Sequence, residues 1–312
     1  MNPEPSPYSD PHSRPSPEPQ RLIFVQHGWS DTGRYLGDLV RSIAPPQSEV
    51  IAPSLNFVNT WLRIERLVQE KEAIAQTFLH RYPDLPLRIV GHSMGGLIWT
   101  ELLHRHPDWW GRVESFVLVG SPIGGSDVAR LIDPWGLGLG IAADLGRDRR
   151  DLAEQIALHI PTLVIASDLG NGSDGLVALE ATKVPGSELR VLRQIRHAAM
   201  RYSAEVGQEI ADFWARGTAQ PEQLNPVAER AIRALRSVPG MTAAGYSDFA
   251  KARIRCDLGE GITLRTWKNP AQVQHVFIGD RPGNCLFAGY VGWGHSAALT
   301  QQLQALATAG KD

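Results

Sequence analysis

The chain has 312 residues, of which 43% are hydrophobic and 21% charged, a globular composition with room for one large domain and a small one. Its net charge of −2 includes no basic excess, so we expect no nucleic-acid partner and no attraction to an anionic membrane. The sequence predicts neither an integral membrane segment nor a signal peptide, and the expected location is the cytoplasm.

The N-terminal segment, residues 1–20, contains seven prolines among serine, glutamate and histidine residues. Such a segment buries too little apolar surface to offset the entropy of ordering it, so we expect a disordered, proline-rich tail. Order is predicted from Arg21, where the apolar run 22–25 is typical of a strand buried on both faces.

Helical and strand patterns then alternate as far as residue 215. The predicted helices are 33–43, 60–82, 97–106 and 203–215, and the predicted further strands are 49–52, 87–90, 115–119, 161–166 and 189–195. This alternation predicts a mostly parallel sheet covered by helices on both faces. Residues 127–159 are less regular, and both a mobile cover and a plain loop with a helix fit them.

A different pattern follows the polar linker 217–225. It consists of a helix, 226–237, four short strands, 253–257, 263–267, 273–278 and 286–291, and a last helix, 296–307. We therefore expect an α/β domain over 21–217 and a small α+β unit over 218–312. Both cysteines of the chain, Cys256 and Cys285, lie in that unit, and two reduced thiols are favoured over a disulfide.

Residues 91–95, Gly-His-Ser-Met-Gly, fit the pattern G-x-S-x-G between a predicted strand and a predicted helix. The turn requires glycines because the serine backbone is strained and the strand and helix pass close together. Such a turn raises the Ser93 hydroxyl clear of the sheet, where a base and a substrate both reach it. The alternative is a glycine-rich turn with an ordinary capping serine.

A serine hydroxyl becomes a good nucleophile when a base takes its proton and an acid orients that base. Asp174 follows one predicted strand, and His197 follows the next. The carboxyl ends of parallel strands meet at one edge of a sheet, so we expect both residues on the same edge as Ser93.

Each of these assignments has an alternative. Asp168, at the end of its strand, is a second candidate acid, and its other interpretation is a loop-capping residue. The spacing of Asp168, Asn171 and Asp174 hints at a cation, but the loop lacks the ligand density of a calcium site. His275 and His295 are alternative bases.

The sequence resembles the α/β-hydrolase superfamily, in particular its bacterial lipases and esterases, over residues 21–215. The matching features are His27-Gly28-Trp29, the Ser93 turn, Gly120-Ser121-Pro122, Asp174-Gly175-Leu176-Val177 and His197. The resemblance implies that Ser93 is the nucleophile, Asp174 the acid and His197 the general base. It also implies an oxyanion hole made by the backbone N–H groups of Trp29 and Met94. It gives no account of residues 218–312.

These features predict a serine hydrolase that cleaves small-molecule carboxylic esters or thioesters through an acyl-enzyme, with no metal or organic cofactor. The alternatives are an acyltransferase with the same triad and a non-catalytic binding protein with this fold. Because 127–159 is short for a large lid, we expect small to medium acyl chains rather than an interface-activated lipase. His27 and His92 flank these positions, and local packing explains them at least as well as a direct role.

Overall fold

The computed structural model describes residues 18–28, 32–55, 64–125, 146–221 and 223–309. Most of the predicted tail, the oxyanion candidate Trp29 and much of the predicted cover, 127–159, lie outside these residues. Across the described ranges, none of the helices combines the length and the apolar character needed to span a membrane.

The first sheet has six strands in the order β2-β1-β3-β4-β5-β6, and every pairing between neighbours is parallel. The strands are β1 (Arg21–Gln26), β2 (Ser48–Ile51), β3 (Leu87–His92), β4 (Val113–Val119), β5 (Thr162–Asp168) and β6 (Glu188–Arg193). All residues of β3 are buried, as expected for an apolar strand that is covered on both faces. The mostly parallel sheet expected from the sequence is confirmed.

Helices cover this sheet on both faces. They are α1 (Gly33–Ile43), α2 (Ile64–Arg81), α3 (Met94–Arg105), α4 (Arg150–Ala157), the short α5 (Leu179–Thr182) and α6 (Ala204–Arg216). Successive residues of β1 alternate between faces: Leu22 and Phe24 pack with α2, α3 and α4, whereas Ile23 and Val25 pack with α1 and α6. Two apolar cores therefore hold β3 and β4 at the centre of the domain.

The second sheet lies near the C-terminus and has five antiparallel strands in the order β7-β11-β10-β9-β8. They are β7 (Thr242–Ala243), β8 (Arg253–Gly259), β9 (Ile262–Lys268), β10 (Gln274–Gly279) and β11 (Cys285–Val291). The sequence predicted the last four strands and missed β7, whose two residues carry no periodic signal.

Two helices, α7 (Pro226–Arg236) and α8 (Ser296–Ala309), pack on one face of this sheet and form a third core with it. The side chain of Asn225 caps α7 by accepting the N–H groups of Val227 and Ala228. Cys256 and Cys285 are not joined by a disulfide in the structure.

Candidate active site

Ser93 occupies the turn between β3 and α3 and has a backbone φ of 54° and ψ of −124°. A non-glycine residue rarely adopts a positive φ, and the surrounding structure must hold it there. The Ser93 N–H donates to the carbonyl of Val119 at 2.9 Å, and the Ser93 carbonyl accepts from the N–H of Gly96 at 3.1 Å. The turn therefore fixes the serine backbone between the two central strands.

Two glycines of this turn permit close approach of backbones. A Cβ on Gly91 would lie 2.6 Å from the Gly96 N, and a Cβ on Gly95 would lie 2.1 Å from the carbonyl oxygen of Gln26. Both positions therefore exclude any side chain, as the pattern G-x-S-x-G predicted.

Ser93, His197 and Asp174 form one hydrogen-bonded chain. The Ser93 hydroxyl lies 2.9 Å from His197 Nε2, and His197 Nδ1 lies 2.7 Å from Asp174 Oδ2. Because an ionised carboxylate only accepts, Nδ1 carries the donated proton and Nε2 is left to accept from the serine. The structure thus brings together the three side chains that the sequence singled out.

The orientation of Asp174 is determined by its own loop. Its Oδ1 accepts the N–H groups of Leu176 at 3.0 Å and Val177 at 2.7 Å, and its backbone carbonyl accepts the N–H of His197 at 3.0 Å. Asp174 is 2% exposed, so these partners replace the water that an exposed carboxylate would bind. One oxygen of the carboxylate is held by backbone and the other faces the imidazole.

A family model described as serine aminopeptidase, S33, matches residues 58–168. The mature form of the lipase BlEst2 from Bacillus licheniformis is 16% identical, with a TM-score of 0.50, over 67% of this chain and 96% of that chain. The chain has the fold of the α/β-hydrolases.

The propeptide form of the same lipase is similar to this chain at 16% identity and a TM-score of 0.51, over 69% of this chain and 54% of that chain. No curated protein sequence matches this chain. At these identities the likeness to solved structures concerns the fold.

Of the two predicted oxyanion donors, the structure describes one. Met94 is the first residue of α3, and the first N–H groups of a helix have no acceptor within it. Trp29 lies outside the described residues, whereas His27 and Gly28 lie within them. A Cβ on Gly28 would lie 2.7 Å from the Ser93 Cβ, so the chain leaving β1 passes directly against the serine.

The His27 side chain forms hydrogen bonds to the backbone where the chain leaves β1. Its Nδ1 is 2.8 Å from the Gly28 carbonyl, and its Nε2 accepts the N–H of Leu55 at 2.8 Å. Since Nε2 accepts, Nδ1 is the protonated nitrogen and the imidazole is neutral. The interpretation of His27 as a residue with local hydrogen bonds fits this geometry.

His92, buried at the end of β3, reaches across the sheet to the candidate base. Its Nε2–H donates to the backbone carbonyl of His197 at 3.1 Å, and the two rings lie 4.9 Å apart. Burial and the neighbouring His197 lower the pKa of His92 to about 3. The sequence placed His92 beside Ser93 but carried no sign of this contact, because the two histidines are 105 positions apart.

The alternative acid, Asp168, lies at the end of β5 and binds other groups. Its carboxylate accepts the N–H groups of Gly170 and Gly172, each at 2.8 Å, and the hydroxyl of Tyr246. Burial alone would raise the pKa of Asp168, but the hydrogen bonds from Tyr246 and the glycine amides hold it below its ordinary value. This geometry is that of the loop-capping residue considered from the sequence.

The alternative bases both lie in the C-terminal unit. The His275 ring packs among those of Trp267, Phe277 and Tyr290, and His295 is an exposed residue just before α8. Among the residues that the structure describes, no cluster of three His, Cys, Asp or Glu side chains could hold a metal ion.

A cavity of about 710 Å³ between α4 and α7 contains none of the candidate catalytic side chains. Its cations, Arg150, Lys183, Arg233 and Arg236, are each ion-paired with a carboxylate. The candidate catalytic side chains therefore lie at the strand ends around Ser93 rather than in this cavity.

Proposed function

We propose that this α/β-hydrolase is a serine hydrolase that cleaves small-molecule carboxylic esters or thioesters through an acyl-enzyme. The observation that carries the proposal is the continuous chain of hydrogen bonds from Ser93 through His197 to Asp174, at 2.9 and 2.7 Å. A nucleophile, a base and an orienting acid in this order are what acyl transfer to serine requires.

In the proposed reaction, Ser93 Oγ attacks the carbonyl carbon of the ester while its proton passes to His197 Nε2. Asp174 remains ionised and stabilises the imidazolium. The Met94 and Trp29 N–H groups donate hydrogen bonds to the oxyanion that develops from the carbonyl oxygen, a contribution of about 3 kcal/mol for one such donor. The tetrahedral intermediate then expels the alcohol, which takes the proton from Nε2.

The acyl-enzyme is then hydrolysed. A water molecule gives one proton to His197 Nε2 and attacks the acyl carbon, and the Ser93 oxygen leaves and recovers that proton. The free acid is released and the enzyme returns to its starting state. No metal or organic cofactor takes part in the proposed cycle, and small to medium acyl chains remain the expected substrates.

The test is turnover of p-nitrophenyl esters from acetate to palmitate by the full chain. We expect turnover that is highest for the shorter chains and that falls at least roughly 10³-fold in Ser93→Ala. Ser42→Ala is the matched control, because Ser42 is exposed on α1 and its hydroxyl donates a local hydrogen bond to the carbonyl of Leu39.

Equal turnover in Ser93→Ala would overturn the proposal. Transfer of the acyl group to an added alcohol in preference to water would favour the acyltransferase. A wild type without turnover on any ester would favour a binding protein.

A further inference from the structure

Residues 168–183, here called the acid segment, run from the end of β5 through Asp174 to the end of α5 and one residue beyond. The C-terminal unit contacts the start of this segment through Tyr246. The Tyr246 hydroxyl donates to the Asp168 carboxylate, and the Tyr246 N–H donates to the Asn171 carbonyl at 3.0 Å. A Cβ on Gly172 would lie 2.7 Å from the Tyr246 N, so the two backbones are in close contact.

The C-terminal unit also contacts the other end of the acid segment. Arg236 of α7 donates two hydrogen bonds to the buried Glu180 carboxylate, from Nε at 3.1 Å and from Nη2 at 2.5 Å. Lys183 Nζ donates to the carbonyl of Leu286 in β11 at 2.8 Å. The segment that carries Asp174 is therefore held by the C-terminal unit on both sides of that residue.

Hydrogen bonds within the acid segment connect Tyr246 to Asp174. Asp168, which Tyr246 contacts, accepts the amides of Gly170 and Gly172. Within the same turn the Leu169 N–H donates to the Ser173 carbonyl at 2.9 Å, and the Leu179 N–H donates to the Gly172 carbonyl at 2.8 Å. Asp174 is the next residue after this turn, so a displaced Asp168 would displace the carboxylate that orients His197.

The hydrogen bond from the Tyr246 hydroxyl to the Asp168 carboxylate is a strong one at neutral pH. The hydrogen bond to Asp168, together with burial, raises the pKa of Tyr246 to about 12. Tyrosine is thus a neutral donor and Asp168 an ionised acceptor, a charge-assisted pair with about twice the strength of a neutral one.

We infer that the C-terminal unit is part of the catalytic apparatus and that Tyr246 is a positioning residue, which acts through Asp168 to hold Asp174 against His197. The inference rests on the proposed function of the triad. It assigns a role to residues 218–312, for which the resemblance to lipases and esterases provides none. Small displacements of a catalytic group lower the rate strongly, so one distant hydroxyl has a measurable effect.

The test compares the full-length wild type with Tyr246→Phe, which removes one hydroxyl and keeps the ring. We expect kcat on a p-nitrophenyl ester to fall about tenfold while KM stays within about twofold, because substrate binding does not involve Tyr246. Amides of residues 169–177 should exchange hydrogen faster in the variant. Tyr82→Phe is the matched control, since Tyr82 directly follows α2, its ring lies against Arg81 and packs on the core of the first sheet, and its hydroxyl is not in contact with the acid segment.

A double-variant cycle separates positioning from a general loss of structure. If Tyr246 acts through Asp168, Tyr246→Phe combined with Asp168→Asn should lower kcat no further than Asp168→Asn alone. An additive loss would overturn this route.

The inference and the proposed function fail in different ways. A wild type that neither hydrolyses esters nor reacts at Ser93 with a fluorophosphonate would overturn the proposed function, and the catalytic role of Tyr246 with it. An active wild type whose Tyr246→Phe variant keeps its kcat would overturn the inference alone.

Discussion

At the scale of single residues, two histidines next to the Ser93 turn have different environments although their rings are 4.9 Å apart. His197 contacts a carboxylate and a hydroxyl, whereas His92 contacts a backbone carbonyl and is fully enclosed. An enclosed imidazole without a counterion stays neutral because its charged form would lose hydration without compensation. His92 therefore supports His197 as a neutral donor.

The lowered pKa of His92 predicts a specific dependence of stability on pH. The unfolded chain binds a proton near the ordinary value of 6.5, whereas the folded chain excludes it until about 3. The contribution of His92 to the free energy of unfolding is thus fully present above pH 6.5 and is lost as the pH falls from there towards 3. From pH 7 to pH 5 the loss should be about 2 kcal/mol.

His92→Asn keeps an N–H donor but does not titrate. In urea unfolding measurements, its free energy of unfolding should fall between pH 7 and pH 5 by about 2 kcal/mol less than that of the wild type. His104→Asn, at an exposed position on α3, is the matched control and should follow the wild type. If the stability of His92→Asn and that of the wild type depended identically on pH, His92 would bind its proton equally well in the folded and the unfolded chain, which contradicts the prediction.

At the scale of elements, the Ser93 turn depends on β1 and α3 packing backbone against backbone. Gly95→Ala would place a methyl group 2.1 Å from the Gln26 carbonyl oxygen, and neither strand nor helix has a flexible side chain there to move aside. We expect the variant to lose about 1–3 kcal/mol of stability and most of the proposed ester turnover.

Thermal unfolding and ester turnover measure both effects. Gly111→Ala, where a Cβ would meet nothing within 4 Å, should change stability by less than about 0.5 kcal/mol. A Gly95→Ala protein with wild-type melting temperature and rate would refute the close packing described for the turn.

The sequence was most informative where structure is local. Continuous apolar runs predicted the strands of the parallel sheet, and G-x-S-x-G predicted the strained turn at Ser93. Strand ends predicted that Asp174 and His197 would approach it. The contact of Tyr246 with Asp168 had no such signal, because it joins residues 78 positions apart and depends on how two units pack. The same reason hid the contact between His92 and His197.

At the scale of the whole molecule, the buried Glu180 carboxylate connects α5 of the α/β domain to α7 of the C-terminal unit. Burial alone would raise the pKa of Glu180, but Arg236, Lys183 and Arg150 outweigh burial and lower it to about 2. Arg236 belongs to α7, so one of these cations comes from the C-terminal unit. Stability from this cluster is present above pH 4.5 and is lost as the pH falls towards 2.

Loss of Arg236 should therefore weaken the association of the two units. We expect Arg236→Met to lower the free energy of unfolding by about 3 kcal/mol at pH 7, because it leaves a buried carboxylate with less compensation. Arg230→Met, on the exposed side of α7, should cost less than about 0.5 kcal/mol. Urea unfolding followed by tryptophan fluorescence checks both, and equal stability of the two variants would contradict the role of the cluster.

The most direct test of the central claim is the site at which a fluorophosphonate reacts, determined by peptide mass spectrometry. Such probes bond to a serine whose hydroxyl is activated by a base. We expect a single adduct, on Ser93, in the wild type, and we expect this adduct to be lost in His197→Ala. An adduct on another serine, or undiminished labelling of Ser93 in His197→Ala, would contradict the central claim.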